Sequence, residues 1–298
     1  MPDVISQDLI RGEALDAPWS LGREPPATPA PVGATDCHHH IFDPRFERPE
    51  AGRGGKATVD DYRLFKRRLG LTRSVIVAAS YHGTDNRGVV AALEELGTDL
   101  ARAVVLVDPE VPEAELEAYH RTGVRGMRVY MAKNRVPDRV ELATLGGRAA
   151  DLGWSLQFVG NREREVLAER GDEILGLPCP LVIDHFGWAP QPAGTESATA
   201  RLLYQVLERP GGYVKLSGLY LSSREGFPAY RDLDPLAVKL VGLNPDQLIW
   251  GSDWPHPVAG AQKPDGAMLF DRLAEWAPDE AVRRRILVDN PTRLYWAD

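Results

Sequence analysis

Cysteine is scarce: Cys37 and Cys179 are the only two in 298 residues. They follow no metal-binding spacing and are too few for a disulfide framework, which fits a reducing cytoplasm, and neither looks like a nucleophile. No apolar run approaches transmembrane length, and the first residues carry early acids instead of the apolar core of a signal peptide, so a soluble cytoplasmic protein is expected, with no membrane partner. An excess of positive charge is missing as well. The formal net charge is −8, so a nucleic-acid surface is not indicated, and the basic run Lys66-Arg67-Arg68 reads as the solvated face of an amphipathic helix. No Gly-x-Gly-x-x-Gly follows a strand, and Gly52-Arg53-Gly54-Gly55-Lys56-Ala57 lacks both the leading glycine and the Ser/Thr of a phosphate-binding loop. Without a Gly-x-Ser-x-Gly elbow there is no obvious acyl-enzyme nucleophile. Hydrolysis by an activated water remains.

What is present reads as one large domain, with 43% hydrophobic and 26% charged residues. Residues 1–32 form an arm ending in the proline-rich Pro25-Pro26-Ala27-Thr28-Pro29-Ala30-Pro31, a composition that favours extended structure, and the arm is expected to lie along the surface of the remaining 33–298. Short β-rich runs then alternate with helical spacing: Val32 to His40, Ser74 to Ser80, Ala103 to Val107, Val124 to Tyr130, Trp154 to Val159, Pro180 to His185, Gly212 to Ser217 and Leu248 to Asp253. Between the first two, Thr58 can cap a helix with Asp61 at its third position, and Tyr62, Phe65 and Leu69 make the buried stripe. Eight such strands predict a (β/α)8 TIM barrel, with a doubly wound open sheet as the alternative. The barrel is preferred because polar groups recur at strand C-termini, where barrels build their sites: His38 and His40, Ser80-Tyr81-His82, Arg128 and Tyr130, Gln157, His185, Ser217 and Asp253.

Alternate residues of a strand share a face, so His38 and His40 point together while His39 points away. Asp253, at the barrel mouth beside imidazoles, is suited to accept a proton from water, and His38, His40 and His185 can donate hydrogen bonds to a carbonyl oxygen or hold a metal. Asp184 is on the opposite face from His185 if the strand is regular, which makes it structural. The same parity directs Arg128 and Tyr130 over the mouth and Arg125 toward the helical layer.

His38-x-His40, Asp184-His185 and Gly251-Ser252-Asp253-Trp254-Pro255 resemble the amidohydrolase superfamily in its amidohydrolase-2 branch. Ala79-Ser80-Tyr81-His82-Gly83-Thr84-Asp85-Asn86 and Arg125-Gly126-Met127-Arg128 make the chain similar to the group of 2-pyrone-4,6-dicarboxylate lactonases and galactarolactone isomerases, over about Asp36 to Trp296. The resemblance implies a hydrolase that opens, or isomerises, a small acidic lactone, with Asp253 as general base and His38, His40 and His185 around the scissile carbonyl. It makes Arg128 a carboxylate-binding arginine and gives substrate contacts to Tyr130, Ser80, His82, Lys133 and Tyr220, with Arg135 adding charge. Many superfamily members carry a further histidine at the end of strand 5; here Trp154-Ser155-Leu156-Gln157-Phe158 has none. Metal-free hydrolysis is therefore favoured, although His38, His40, His185 and Asp253 would make an acceptable site for a single Zn²⁺. Ser217-Gly218-Leu219-Tyr220-Leu221-Ser222 places Leu221 where the pyrone-dicarboxylate enzymes carry an arginine, so a mono-acidic lactone fits as well as a dicarboxylate, although Arg224 could reach back. Two alternatives stand: a metal-dependent aromatic-acid decarboxylase of the same branch, and a catalytically eroded barrel acting as a binding protein.

Overall fold

The computed structural model describes residues 12–46, 56–131, 136–161 and 164–297. Eight parallel strands pair in sequence order: β1 (Thr35–His39), β2 (Arg73–Val77), β3 (Ala101–Val105), β4 (Val124–Tyr130), β5 (Ser155–Val159), β6 (Leu181–Ile183), β7 (Gly212–Leu216) and β8 (Leu248–Trp250). The circle closes just past β8, where Asp253 donates its N–H to the His38 carbonyl at 2.8 Å and His40 donates to the Trp254 carbonyl at 2.8 Å. A closed ring of this kind is a (β/α)8 barrel and removes the open-sheet alternative. No helix among the described residues is long and apolar enough to cross a membrane.

The helix at Val59–Arg68 shows why the outer layer forms. The Thr58 side chain accepts from the Asp61 N–H, Asp61 reaches back to the Thr58 N–H, and Tyr62, Phe65 and Leu69 turn inward and are buried. Inside the barrel, Cys37, Val75, Val77, Val104, Val182 and Ile249 pack with Tyr213 and Tyr295 into a plug below the mouth. A larger apolar layer lies between strands and helices. Arg125 does point outward, donating to the carbonyls of His120 and Val124 at 2.9 and 2.8 Å.

The strands end sooner than their apolar runs suggest. His40, Ser80, His185, Ser217 and Asp253 all stand just beyond a ladder, and two of them are left-handed, with φ of +54° at His185 and +58° at Asp253. Such a backbone turns the chain out of the sheet and aims the side chain across the mouth. Ahead of β1, residues 12–34 form no helix or strand, yet they are fastened: Arg68 donates to the carbonyls of Glu24, Gly22 and Leu21 at 3.0, 2.9 and 2.9 Å, and the Trp254 indole donates to the Pro18 carbonyl at 2.9 Å.

Candidate active site

β1 carries a register shift between Asp36 and His39, and it sets the faces of the histidine cluster. His39 points outward and stacks on Tyr62, ring centroids 3.6 Å apart and planes 5° from parallel. His38 and His40 face the barrel axis, 4.9 Å apart edge to face, as strand parity requires. Asp36 faces outward and fastens the β1–β8 seam, accepting from the Ser252 N–H at 2.9 Å, the Ser252 hydroxyl at 2.6 Å and the Tyr62 hydroxyl at 3.0 Å. Two glycines permit the close approach of these segments. A Cβ on Gly251 would meet the Cβ of His38 at 2.5 Å, and one on Gly218, itself at φ +59°, would meet His185 Nδ1 at 2.7 Å.

Asp253 lies at the centre. Its Oδ2 accepts from the Tyr220 hydroxyl, and its Oδ1 faces Nε2 of His40 at 3.3 Å, His38 at 3.6 Å and His185 at 4.0 Å. Burial pushes this carboxyl up, but the imidazole of His185 and its neighbours outweigh burial and hold it well below the usual carboxylate range. Burial also lowers the imidazoles: His185 to about 4, and His38 further, with Lys215 adding to the effect. At neutral pH the site thus holds a carboxylate beside the neutral imidazoles of His38 and His185. His40 Nδ1 lies 2.7 Å from the Val77 carbonyl, which can only accept, so Nδ1 carries a proton.

Below this lies a second, fully buried layer. Asp184 pairs with Lys215 Nζ at 2.8 Å and with Arg128 Nε at 3.1 Å. Burial raises the Asp184 carboxyl, and Lys215, His38 and Arg128 together more than reverse this. Strand alternation alone would turn Asp184 away from His185. That expectation fails because β6 ends at Ile183 and the left-handed turn at His185 lets both side chains face inward. Arg128 also donates to the Ala78 carbonyl at 3.0 Å and the Tyr130 hydroxyl at 2.5 Å, and its remaining nitrogen stands 3.3 Å from His38 Nε2 and 3.5 Å from His185 Nε2.

Above Asp253 opens a cavity of about 410 Å³. His40, His185, Asp253, Arg128, Tyr130 and Ser80 line it, as do Trp19, Phe42, Tyr81, Trp188, Leu221 and Lys263. His38 lies under this surface, touching Asp253 and Arg128 from below. His82 packs its ring on Phe42, centroids 5.4 Å apart, and Tyr220 reaches the site through its bond to Asp253. Lys133, Arg135 and Gly52–Gly55 fall outside the described residues. Four contributors are absent from the sequence-based expectation: Lys215, Trp19, Trp188 and Lys263. Lys215 alternates with Tyr213 and Ser217 on β7, and that parity could have found it; Trp19, Trp188 and Lys263 come from segments without periodicity and left no signal.

His38, His185 and Asp253 offer ligand atoms within 4.8 Å of one another, a spacing at which a metal could be held. In comparisons with known proteins, residues 35–296 match the amidohydrolase family. A 2-pyrone-4,6-dicarboxylate hydrolase of Comamonas testosteroni is 34% identical, across 94% of this chain and 95% of that protein. A 4-sulfomuconolactone hydrolase of Rhizobium radiobacter is 32% identical, across 89% of this chain and 90% of that protein. A solved apo structure from Agrobacterium tumefaciens superposes with a TM-score of 0.82 at 28% identity, covering 92% of this chain and 99% of that one. The order of strands, the closed seam and these matches agree: the chain belongs to the amidohydrolase family.

Proposed function

We propose that this protein is a lactonase that opens a small acidic lactone with an activated water. The observation that carries the reading is the position of Asp253 Oδ1, ionised and facing three imidazoles at the floor of the cavity. Asp253 Oδ1, at the cavity floor with His40 Nε2 3.3 Å away, is the acceptor for a hydrogen of the attacking water. The water oxygen adds to the lactone carbonyl carbon while its proton passes to Asp253. Negative charge gathers on the carbonyl oxygen, where the Arg128 guanidinium nitrogen beside His38 and His185 can be drawn to it. Collapse breaks the ring C–O bond, and Asp253 returns the proton to the departing oxygen, so lactone and water give one hydroxy acid. Lys263, on the cavity wall, is the cation offered to the substrate's carboxylate, and Ser80 and Tyr130 are its polar neighbours. The described part of the arm belongs to this unit, since Trp19 lines the cavity.

A divalent metal fits this site poorly. Two buried carboxylates, Asp184 and Asp253, are already balanced by two buried cations, Arg128 and Lys215, and the Arg128 guanidinium stands against the Nε2 atoms that a metal would need. Adding two positive charges would leave them unbalanced in a buried setting. This favours hydrolysis without metal over the decarboxylase reading. An intact base, imidazole ring and cavity argue against an eroded binding protein.

The test is ring opening followed by proton NMR across a panel of acidic lactones, with the metal content of the purified protein measured alongside. We expect turnover of at least one member at well under one equivalent of metal, unchanged by chelator. Stoichiometric zinc with activity lost on chelation would overturn the metal-free mechanism. No turnover across the panel would overturn the lactonase reading.

A further inference from the structure

Lys215 is a fully buried ammonium that the hydrolytic steps above do not use. It projects from β7 into the barrel, where Nζ forms an ion pair with Asp184 Oδ1 at 2.8 Å and donates to Gln157 Oε1 at 2.9 Å. The third contact is His38 Nδ1, at 3.0 Å. An ammonium has donors only, so at that distance Nδ1 of His38 has to be the acceptor. The competing arrangement, with Nδ1–H donating to Asp184 across 3.5 Å and Nε2 accepting from Arg128 at 3.3 Å, would set Nδ1–H against the closer Lys215 ammonium at 3.0 Å, the worse donor–donor clash of the two. We infer that Lys215 is a positioning residue that fixes His38 as the tautomer protonated at Nε2, and that in doing so it withholds from any metal the lone pair His38 would otherwise turn toward Asp253.

Gln157 completes the device. Its Oε1 faces Lys215, which can only donate and so fixes the amide's orientation, and its amide nitrogen then donates to the Tyr295 hydroxyl at 2.9 Å. The chain Tyr295, Gln157, Lys215, His38 thus runs from the apolar plug to the reacting centre and ends at His38 Nε2, which faces Asp253 Oδ1 at 3.6 Å, beyond direct hydrogen-bond distance. Without Lys215 the logic inverts. Asp184 becomes the free partner of His38 Nδ1, the proton moves to that nitrogen, and the Nε2 lone pair joins His185 and Asp253. A carboxylate behind an imidazole is the arrangement that steadies a metal-binding histidine. One buried positive charge is also gone, which draws a divalent cation in. A single ammonium therefore decides whether this barrel mouth is a hydrogen-bonding site or a metal site.

This inference rests on the metal-free reading above, but its readouts need no substrate. In the wild-type protein with isotope-labelled histidine, hydrogen–nitrogen correlation spectra near neutral pH should show His38, identified by its loss in His38→Gln, as the Nε2–H form. An Nδ1–H form would overturn the inference without any Lys215 variant having to fold. In calorimetric titration with zinc chloride, Lys215→Met should bind zinc about 10- to 100-fold more tightly than wild type. Lys215→Arg, which keeps a cationic donor, should bind like wild type. Equal zinc affinity in Lys215→Met and wild type would also overturn it. If instead the wild type shows the expected tautomer and excludes zinc yet opens no acidic lactone, the functional reading falls and the role of Lys215 stands.

Discussion

The floor and the rim of the cavity are built by opposite means. On the floor, Asp184, Lys215, Arg128, His38 and Asp253 are all buried, each is held by several partners, and each comes from a strand or from the first residues beyond one. Around the rim, Trp19, Tyr81, Trp188 and Lys263 are half-buried and Val258 is 53% exposed, and all come from the arm or from loops. Buried ionic lattices tolerate little change, because removing one partner strands another charge in a dry interior. Loops can change without that penalty. The chemistry of this barrel is thus set by the floor and the choice of substrate by the rim.

The contrast should be plainest at the floor's centre. Asp253→Asn keeps an acceptor for Tyr220 but cannot take a proton from water at neutral pH, so kcat should fall by about 10²- to 10⁴-fold while the far-UV spectrum stays near wild type and the melting temperature drops with the loss of one buried countercharge. A variant retaining near-native turnover would show that the base is elsewhere.

The seam beneath the floor should show itself in stability. Burial raises Asp36 from 3.8 to about 6, against the opposing bonds from Ser252, His38 and Tyr62. A group with a raised folded-state value contributes fully below its unfolded value and loses that contribution as pH rises through the folded one. Ionising Asp36 therefore costs about 3 kcal/mol by the time pH exceeds about 6. Asp36→Asn mimics the protonated form. Its stability relative to wild type should climb between about pH 4 and 6 in paired denaturant titrations, and a difference flat in pH would place no titration at the seam.

The floor is also the legible part of the molecule. His38-x-His40 and the segment around Asp253 announce themselves because their residue types and spacing are dictated by the strands that carry them, and the barrel follows from eight alternations of apolar period. Asp184 is misjudged because strand alternation stops where a left-handed residue turns the chain, and φ at His185 is a tertiary outcome that no local pattern encodes. Lys215 escapes notice since one lysine amid Tyr213, Val214 and Leu216 carries no motif. The rim is silent for a different reason: Trp19 and Lys263 meet only after the barrel has closed and drawn together segments more than two hundred residues apart.

Two cations set floor against rim directly, since one lies in each. Arg128→Met strips Asp184 of its Nε partner, so it should cost about 3–5 kcal/mol in stability and depress kcat on acidic and neutral lactones alike. Lys263→Met should leave stability and neutral lactones untouched and raise KM for acidic lactones by about 10-fold, as expected when one charge-assisted hydrogen bond is removed at a partly exposed site. Selective impairment on acidic lactones in Arg128→Met, with Lys263→Met silent, would move the carboxylate site from the rim to the floor.

The smallest effect is expected at Trp19, and it asks whether the arm is part of the rim or only packing. Trp19 sits at φ +64° in a stretch with no helix or strand, yet its ring lines the cavity together with His185 and Trp188. The arm's anchors include backbone carbonyls, Pro18 to the Trp254 indole and Leu21, Gly22 and Glu24 to the Arg68 guanidinium, and the N–H groups of Ala27 and Thr28, which donate to Asp271. None of these needs the Trp19 side chain, so Trp19→Ala leaves the arm fastened and removes only the wall. An aromatic contact with a flat ring substrate is worth about 0.5–1.5 kcal/mol, which corresponds to a rise in KM of roughly 2- to 12-fold at constant kcat. Trp19→Phe should recover most of it. A drop in kcat with KM unchanged would make Trp19 a support of the floor, and the two regions would no longer be separable.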